Sequence, residues 1–382
     1  MDFAWTESEQ AYRAELVSLL EQQLPPDWWD AYAYDGPAGP ELMVHARRFN
    51  AELAQRNLVV RHWPRAYGGQ EASAWSQIIL SEEMWSNGEP RSSLYLGANW
   101  AGPAIMKFGT EAQKQRYLRP IADGKLLWCQ GFSEPEAGTD LANMKTRAEP
   151  DADGYVINGS KVWTSYASRA DIMFLLARVG GSGKGGVSCF ILPVNSPGME
   201  VRPIPAIHSP HDFNEVFFTD VRVPADALLG EPGKGWDIVT TILHYERIGA
   251  ARYEFSRRTL DRVVAHLKQR GLFDDPTVQA ELATALAATE AARLLTYVVI
   301  DGRAKERPPG PDTYVARYAM VQADHAVANI ASTYLSDLLT EQGDGMLRSH
   351  FTSAITAGIA AGAAEVQLNM ISGRYLGLPR GA

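Results

Sequence analysis

The sequence predicts an α+β protein in which a block of helices precedes a small antiparallel β domain and a second helical block follows it. Three observations carry that prediction. Apolar residues recur at helical spacing through 1–122. Between 123 and 233 the pattern shortens to strand-length apolar runs punctuated by Gly and Pro, with no helical stretch between them. From 234 to 382 the helical period returns. A chain of 382 residues can hold more than one core. The changes of period therefore divide it into an N-terminal helical domain (1–122), a middle β domain (123–233) and a C-terminal four-helix bundle (234–382).

The first helix opens at Thr6, with Glu9 three residues on as a capping box before the Tyr12, Leu16, Leu19, Leu20 stripe. Pro25-Pro26 ends it. Helices are expected over 40–55 and 76–85, with a rigid turn at 63–69 between them. In the middle domain, Asn158-Gly159 between two alternating runs predicts a hairpin with a type I′ turn. Strands are expected over 171–178, 187–194, 201–204 and 215–223, and barrel-like closure is possible. The Gly-rich loop 180–186 contains G-x-G-x-x-G, but Gly185 stands where a phosphate loop needs Ser or Thr. It joins two strands and reads as a flexible connection. Helices over 236–270, 276–303, 313–339 and 351–375 complete the chain, with a break at Pro308-Pro309-Gly310-Pro311.

Composition narrows the function. The net charge of −9 argues against nucleic acid or an anionic membrane as the main partner. The two cysteines, Cys129 and Cys189, show no metal-ligand spacing, which fits a reducing cytoplasm. No uncharged run approaches membrane-spanning length, and the acidic start from Asp2 is unlike a signal peptide. A cytoplasmic protein is expected.

Chemistry concentrates in two stretches. Residues 128–140 combine Gly131 and Gly138, which admit close approach of backbone N–H groups, with Ser133 and Thr139 as hydroxyl donors and Pro135 as a stiffener. Such a loop suits a flat ring rich in heteroatoms, although the same residues also build ordinary turns. Lys161-Val162-Trp163-Thr164-Ser165 adds more hydroxyls beside an aromatic face. Further on, Glu246 falls in the apolar stripe of Trp236, Val239, Ile242, Leu243, Ala250 and Tyr253. A carboxylate there either pairs with an Arg such as Arg247 or Arg252, or acts as a general base raised by apolar surroundings.

Three motifs together resemble the acyl-CoA dehydrogenase family of flavoproteins. Phe132-Ser133-Glu134-Pro135-Glu136-Ala137-Gly138-Thr139-Asp140 is similar to its flavin signature, and 158–165 to its second flavin stretch. Gln367, Gly373-Arg374 and Leu376-Gly377-Leu378-Pro379 are similar to its closing motif. The resemblance implies FAD lined by Gln130, Phe132, Ser133, Thr139, Trp163 and Ser165, with Ala363 and Glu365 also at the cofactor. Substrate would meet Thr139, His244 and Arg247. The implied reaction passes the α-proton of an acyl-CoA to a carboxylate and the β-hydride to flavin. Of the two places for that base in the family, one falls on Ala361, which cannot take a proton, and the other on Glu246, followed by Arg247. Glu246 is therefore the expected base, Arg247 its support, and the Ala361 backbone N–H a donor to the thioester carbonyl.

The departures from the pattern concern the flavin contacts that neighbouring subunits make. The family's Arg followed by Phe-Gly is missing from 268–276, the Gln and Gly-Gly contact is missing from 341–345, and Gly362-Ala363 stands for Gly-Thr. This implies a paralogous subunit completing an α2β2 heterotetramer like those of actinobacterial sterol side-chain degradation, with electrons passing to an electron-transferring flavoprotein. A homotetramer is the alternative assembly. The alternative functions are a non-catalytic partner subunit and a flavin oxidase or monooxygenase on the same fold. Small residues at Gly97, Ala98, Ala101, Gly102 and Ala104 suggest room for a bulky or steroid acyl group, or else tight helix crossings.

Overall fold

The structure is a computed structural model that describes residues 5–308, 310–360 and 362–379, with the side chains of 244–249 outside the description. In chain order the helices are α1 (Glu7–Gln23), α2 (Trp28–Asp35), α3 (Pro40–Gln55), α4 (Trp75–Trp85), α5 (Leu94–Leu96), α6 (Gly102–Phe108) and α7 (Glu111–Ala122). Eight strands follow: β1 (Trp128–Gly131), β2 (Arg147–Asp151), β3 (Gly154–Lys161), β4 (Ile172–Arg178), β5 (Val187–Pro193), β6 (Met199–Ala206), β7 (Ser209–Pro224) and β8 (Leu228–Leu229). The chain then forms α8 (Gly235–Gly249), α9 (Arg252–Gln269), α10 (Pro276–Ala304), α11 (Asp312–Tyr334), α12 (Gly345–Ala354) and α13 (Ala364–Met370). The Thr6 capping box forms as expected, Glu9 N–H donating to Thr6 Oγ1 and Thr6 N–H to Glu9 Oε2.

The chain divides into two compact units, one of residues 35–71 and 91–245, the other of 1–34, 72–90 and 246–382. The first contains a single sheet in the order β6-β7-β3-β2-β4-β5-β8, with β1 also on β4. Most pairs are antiparallel, but β1 runs parallel to β4, so the sheet is mixed and not purely antiparallel as the sequence suggested. Between β1 and β4 the chain detours through the 132–146 loop and the β2–β3 hairpin, which brings it back in the direction it left. The sheet core holds Cys129, Met173, Leu175, Phe190, Val216 and Val221.

Asn158-Gly159 is not the hairpin turn. It lies inside β3, paired with β2 and β7, and the turn comes earlier, after Asp151. Gly159 sits at an irregularity in the β7 register with φ +144°, where a Cβ would lie 2.6 Å from Thr146. Asn158 bonds Asp220 across the gap, so the dipeptide serves a bulge.

In the second unit the bundle core gathers Leu260, Val263 and Leu267 of α9, Val278, Leu282 and Ala285 of α10, Val327 and Ile330 of α11, and Leu347 of α12. α10 alone among the described helices is long and apolar enough to cross a membrane by length and composition, and its Val278, Leu282 and Ala285 belong to this core. Buried Asp324 of α11 accepts from Arg252 Nε at 3.1 Å and Ser256 Oγ at 2.6 Å, while His350 of α12 lies 3.2 Å from the same Ser256 oxygen. Burial acts to raise the Asp324 carboxyl. Arg252, His350 and Ser256 outweigh it and hold the group well below the usual carboxylate range.

Three expected helices are shorter or divided. The 236–270 helix breaks between Gly249 and Arg252, where Ala251 leaves helical geometry with ψ 52°. The 313–339 helix stops at Tyr334 and a 3₁₀ turn follows. The 351–375 segment is the end of α12, a run of turns, α13 and a π turn, with Gly362 at φ +93° just before α13.

Candidate functional site

The two polar stretches that the sequence singled out meet in the sheet-bearing unit. β1 delivers the chain to the first through Gly131, where a Cβ would lie 2.9 Å from Met173 Sδ and the packing is close. Glu134 and Ala137 exchange backbone hydrogen bonds at 3.2 and 3.1 Å, closing a turn around Pro135 and Glu136. The Glu134 side chain then reaches back into the protein. It accepts from the N–H groups of Lys145 and Thr146 and from Lys161 Nζ at 2.8 Å.

Lys161 is fully buried, and its ammonium also donates to the Phe132 carbonyl at 3.0 Å. A second tie, Val162 N–H to the Ser133 carbonyl at 2.9 Å, runs beside it. The stretches 132–134 and 161–162 are thus held together by one buried ion pair, the Lys161 bond to the Phe132 carbonyl and one backbone bond. Burial pushes the Lys161 ammonium down to about 8, and Glu134 offsets only part of that. For Glu134 the balance is reversed, since Lys161 and the two backbone donors overcome burial and lower its carboxyl.

Beyond Lys161 the backbone is contorted. Trp163 has φ +59° and Tyr166 φ +63°, conformations that cost a bulky residue about 1–3 kcal/mol each. Bonds from β7 hold them there: Thr164 N–H donates to the Asn214 carbonyl at 3.0 Å, Tyr166 N–H to the Asp212 carbonyl at 2.8 Å, and Asn214 Nδ2 to the Thr164 carbonyl at 3.0 Å. The outcome is an indole 57% exposed, braced edge-on by Phe213 at 5.8 Å. Next to it, Thr164 is buried and its Oγ1 has no partner among the described residues. Trp163 offers a flat face to a planar ring, and the orphan hydroxyl offers a polar contact at its edge.

Among the expected site residues of this unit, Phe132 is buried, Gln130, Ser133 and Ser165 are half-buried, and Thr139 is exposed beside Gly138. Ala363 and Glu365 belong to the other unit, where Ala363 is the residue before α13 and Glu365 lies exposed in its first turn. Ala361 lies outside the described residues, as do the side chains of His244, Glu246 and Arg247. α8 does contain position 246, and of its stripe Val239 and Ile242 are buried as predicted while Trp236 and Leu243 are half-buried. Its downstream half does not apply, because Tyr253 belongs to α9.

The small residues of 97–104 have a steric explanation. A Cβ at Gly97 would lie 2.5 Å from Trp128, and one at Gly102 would lie 2.3 Å from Trp63. Indoles fill that space, so these glycines mark tight crossings and carry no argument for a bulky substrate. Sequence reasoning missed the Lys161–Glu134 pair, in which Lys161 is the buried last residue of β3. It also missed the left-handed backbone at Trp163, for which the sequence has no signal.

Comparison with known proteins adds to this geometry. Three family models match successive parts of the chain: acyl-CoA dehydrogenase N-terminal domain over 6–125, middle domain over 129–221 and C-terminal domain over 233–376. The chain is 34% identical to acyl-CoA dehydrogenase IpdE1 of Mycobacterium tuberculosis, over 97% of this chain and 98% of that protein. With FadE26 of the same organism it shares 31% identity over 100% and 99%. Among solved structures, the Tcur3481-Tcur3483 steroid acyl-CoA dehydrogenase aligns at TM-score 0.90 and 30% identity, covering 100% of both chains. The ChsE4-ChsE5 complex from Mycobacterium tuberculosis aligns at 0.88 and 29%, also over 100% of both.

Proposed function

Because the chain belongs to the acyl-CoA dehydrogenase family, we propose that it carries out FAD-dependent α,β-dehydrogenation of an acyl-CoA thioester to the trans-2-enoyl-CoA. The observation that carries this reading is the exposed, left-handed Trp163 beside the orphan Thr164 hydroxyl, fixed to the Ser133 stretch by the buried Lys161–Glu134 pair. Gln130, Phe132, Ser133, Thr139, Trp163 and Ser165 would hold FAD on this unit, and Ala363 and Glu365 are the remaining residues proposed to contact it. When bound, FAD supplies the acceptor for the β-hydride.

Glu246 takes the α-proton, and the C–H electron pair left behind becomes the new double bond as the hydride leaves the β-carbon. The N–H of Ala361 stabilises the charge that develops on the thioester oxygen. Arg247 supports the base or the CoA, while Thr139 and His244 contact substrate. Similarity to steroid acyl-CoA dehydrogenases favours a steroid side-chain acyl group.

The assembly we propose is an α2β2 heterotetramer with a paralogous subunit, working in the cytoplasm with an electron-transferring flavoprotein as its partner. Two observations support the paired subunit. Related structures are two-component assemblies by name. Ile355, Ile359, Leu368, Leu376 and Leu378 are also large apolar side chains left exposed within 355–378, the kind of side chain that a partner covers.

The test is expression of the chain alone and with candidate paralogues, measuring mass, FAD content and acyl-CoA-dependent flavin bleaching. FAD is expected only in the mixed assembly, and a flavin-replete homomer overturns the partner. Glu246→Gln is expected to retain FAD and lose turnover. Unchanged turnover in that variant removes the base and favours a non-catalytic role for this chain.

A further inference from the structure

The exposed Trp163 indole has a support of its own behind it. The bonds from β7 place the backbone of 163–166, but they leave the ring free to turn about its side-chain torsions. Among the described residues the aromatic ring set against it is Phe213, edge-on at 5.8 Å and 85°. Phe213 has a second edge-on neighbour, the imidazole of His208, at 5.0 Å and 78°. His208 stands at the turn from β6 to β7, and its side chain is largely buried although Ile207 before it is exposed.

His208 is held in turn. Its Nε2 lies 3.3 Å from Asp212 Oδ2, and the other carboxyl oxygen of Asp212, Oδ1, accepts from the Ala38 N–H at 3.1 Å. The backbone carbonyl of the same Asp212 accepts from the Tyr166 N–H at 2.8 Å. The support therefore closes on itself. It leaves the strained stretch at Trp163, passes through Phe213 and His208 to Asp212, and returns at Tyr166. A second anchor lies beside it, where Ser209 Oγ donates to the Asp35 carbonyl at 2.7 Å and accepts from the His211 N–H at 3.1 Å. An aliphatic residue at 208 would fill the space against Phe213 as well as His208 does. A buried imidazole beside a carboxyl adds little net stability, because desolvation of both groups offsets their attraction. What it adds is direction, since a carboxyl at one ring nitrogen fixes the plane of the ring, which an alkyl group leaves free.

We infer that His208 is a positioning residue for the bound cofactor. Held by Asp212, it keeps Phe213 in place, and Phe213 keeps the Trp163 indole turned so that its face is ready for the flat ring proposed to lie on it. The inference rests on that reading of Trp163. His208 itself touches neither cofactor nor substrate. An indole that is already turned the right way has less freedom to lose when the ring arrives, so the gain appears as affinity for FAD.

His208→Leu, His208→Gln and, as a control at the same turn, Ile207→Ala are compared with wild type by two measurements. The first is the dissociation constant for FAD of the assembly that binds it, after the cofactor has been stripped and returned. The second is fluorine NMR of the full chain without FAD, labelled with fluorotryptophan, in which the Trp163 resonance is identified by its loss in Trp163→Phe. His208→Leu is expected to weaken FAD binding about two- to tenfold, the cost of ordering one freed side chain. It is also expected to shift or broaden the Trp163 resonance while those of buried Trp63 and Trp128 stay in place. His208→Gln still offers Asp212 a donor and should recover part of both, and Ile207→Ala should match wild type. A purely structural role for His208 moves neither readout. Wild-type affinity in His208→Leu, a Trp163 resonance that does not move, a loss that His208→Gln does not relieve, or an equal loss in Ile207→Ala overturns the inference. If His208→Leu fails to fold, Phe213→Leu takes its place with the same two expectations, since the support passes through that ring, and wild-type values there overturn it. Trp163→Ala separates the inference from the reading beneath it. Unchanged FAD affinity in Trp163→Ala sinks the placement of the cofactor on that indole, whereas weakened affinity there beside wild-type affinity in His208→Leu sinks only the role of His208.

Discussion

Replacing Lys161 by Met tests how the two polar stretches are joined. The side chain is fully buried, and Met fills nearly the same space, so the change removes charge and hydrogen bonds with little loss of volume. Two bonds go, to the Phe132 carbonyl at 3.0 Å and to Glu134 Oε1 at 2.8 Å. What remains is a buried carboxylate without its counter-charge. Removing one member of a buried pair costs about 3–5 kcal/mol. Glu134 keeps its bonds from the Lys145 and Thr146 N–H groups, which places the expected loss near the lower figure, about 3 kcal/mol. That is about a hundredfold in the unfolding equilibrium.

Urea unfolding of the full chain, followed by a probe of the sheet-bearing unit, measures it through the shift in midpoint at constant m. Adding Glu134→Gln to Lys161→Met should return about 2 kcal/mol of the loss, because the orphaned charge is then gone. If Lys161→Met lies within about 1 kcal/mol of wild type, Glu134 is not held as an unpaired buried charge and the account of the latch is wrong. The carboxyl of Glu134 is lowered in the folded state, so the pair stabilises above the ordinary carboxylate range and weakens as pH falls through it. Lys161→Met should flatten that acid dependence.

Two further outcomes follow from burial elsewhere. Asp324 has its carboxyl depressed on folding, so its contribution is complete above its ordinary value of 3.8 and is lost as pH falls below it. Asp324→Asn should unfold at lower temperature than wild type at pH 7, with the difference narrowing toward pH 3 in calorimetric scans, and a difference that grows on acidification contradicts the sign. Gly97→Ala should cost about 1–3 kcal/mol by overpacking, because its Cβ would stand 2.5 Å from Trp128. A thermal midpoint equal to wild type would mean that the indole yields freely and that space for an acyl group exists there after all.

The sequence by itself determined the order of helices, sheet and helices, the Thr6 cap, most strand positions and the two stretches 128–140 and 161–165, because each is written in neighbouring residues through periodicity, capping and turn chemistry. It did not determine where Asn158-Gly159 would be used. A type I′ turn and a bulge accept the same dipeptide, and pairing of β3 with β2 and β7 on both sides chose the bulge. Nor could periodicity see the break at Ala251 that separates Val239 and Ile242 from Tyr253, since the apolar spacing continues across it. The Lys161–Glu134 pair and the left-handed Trp163 held by Asn214 and Phe213 were decided only by tertiary structure. Each joins residues far apart in the chain, and the free energy of burying a charge or straining a backbone depends on partners that no local pattern names.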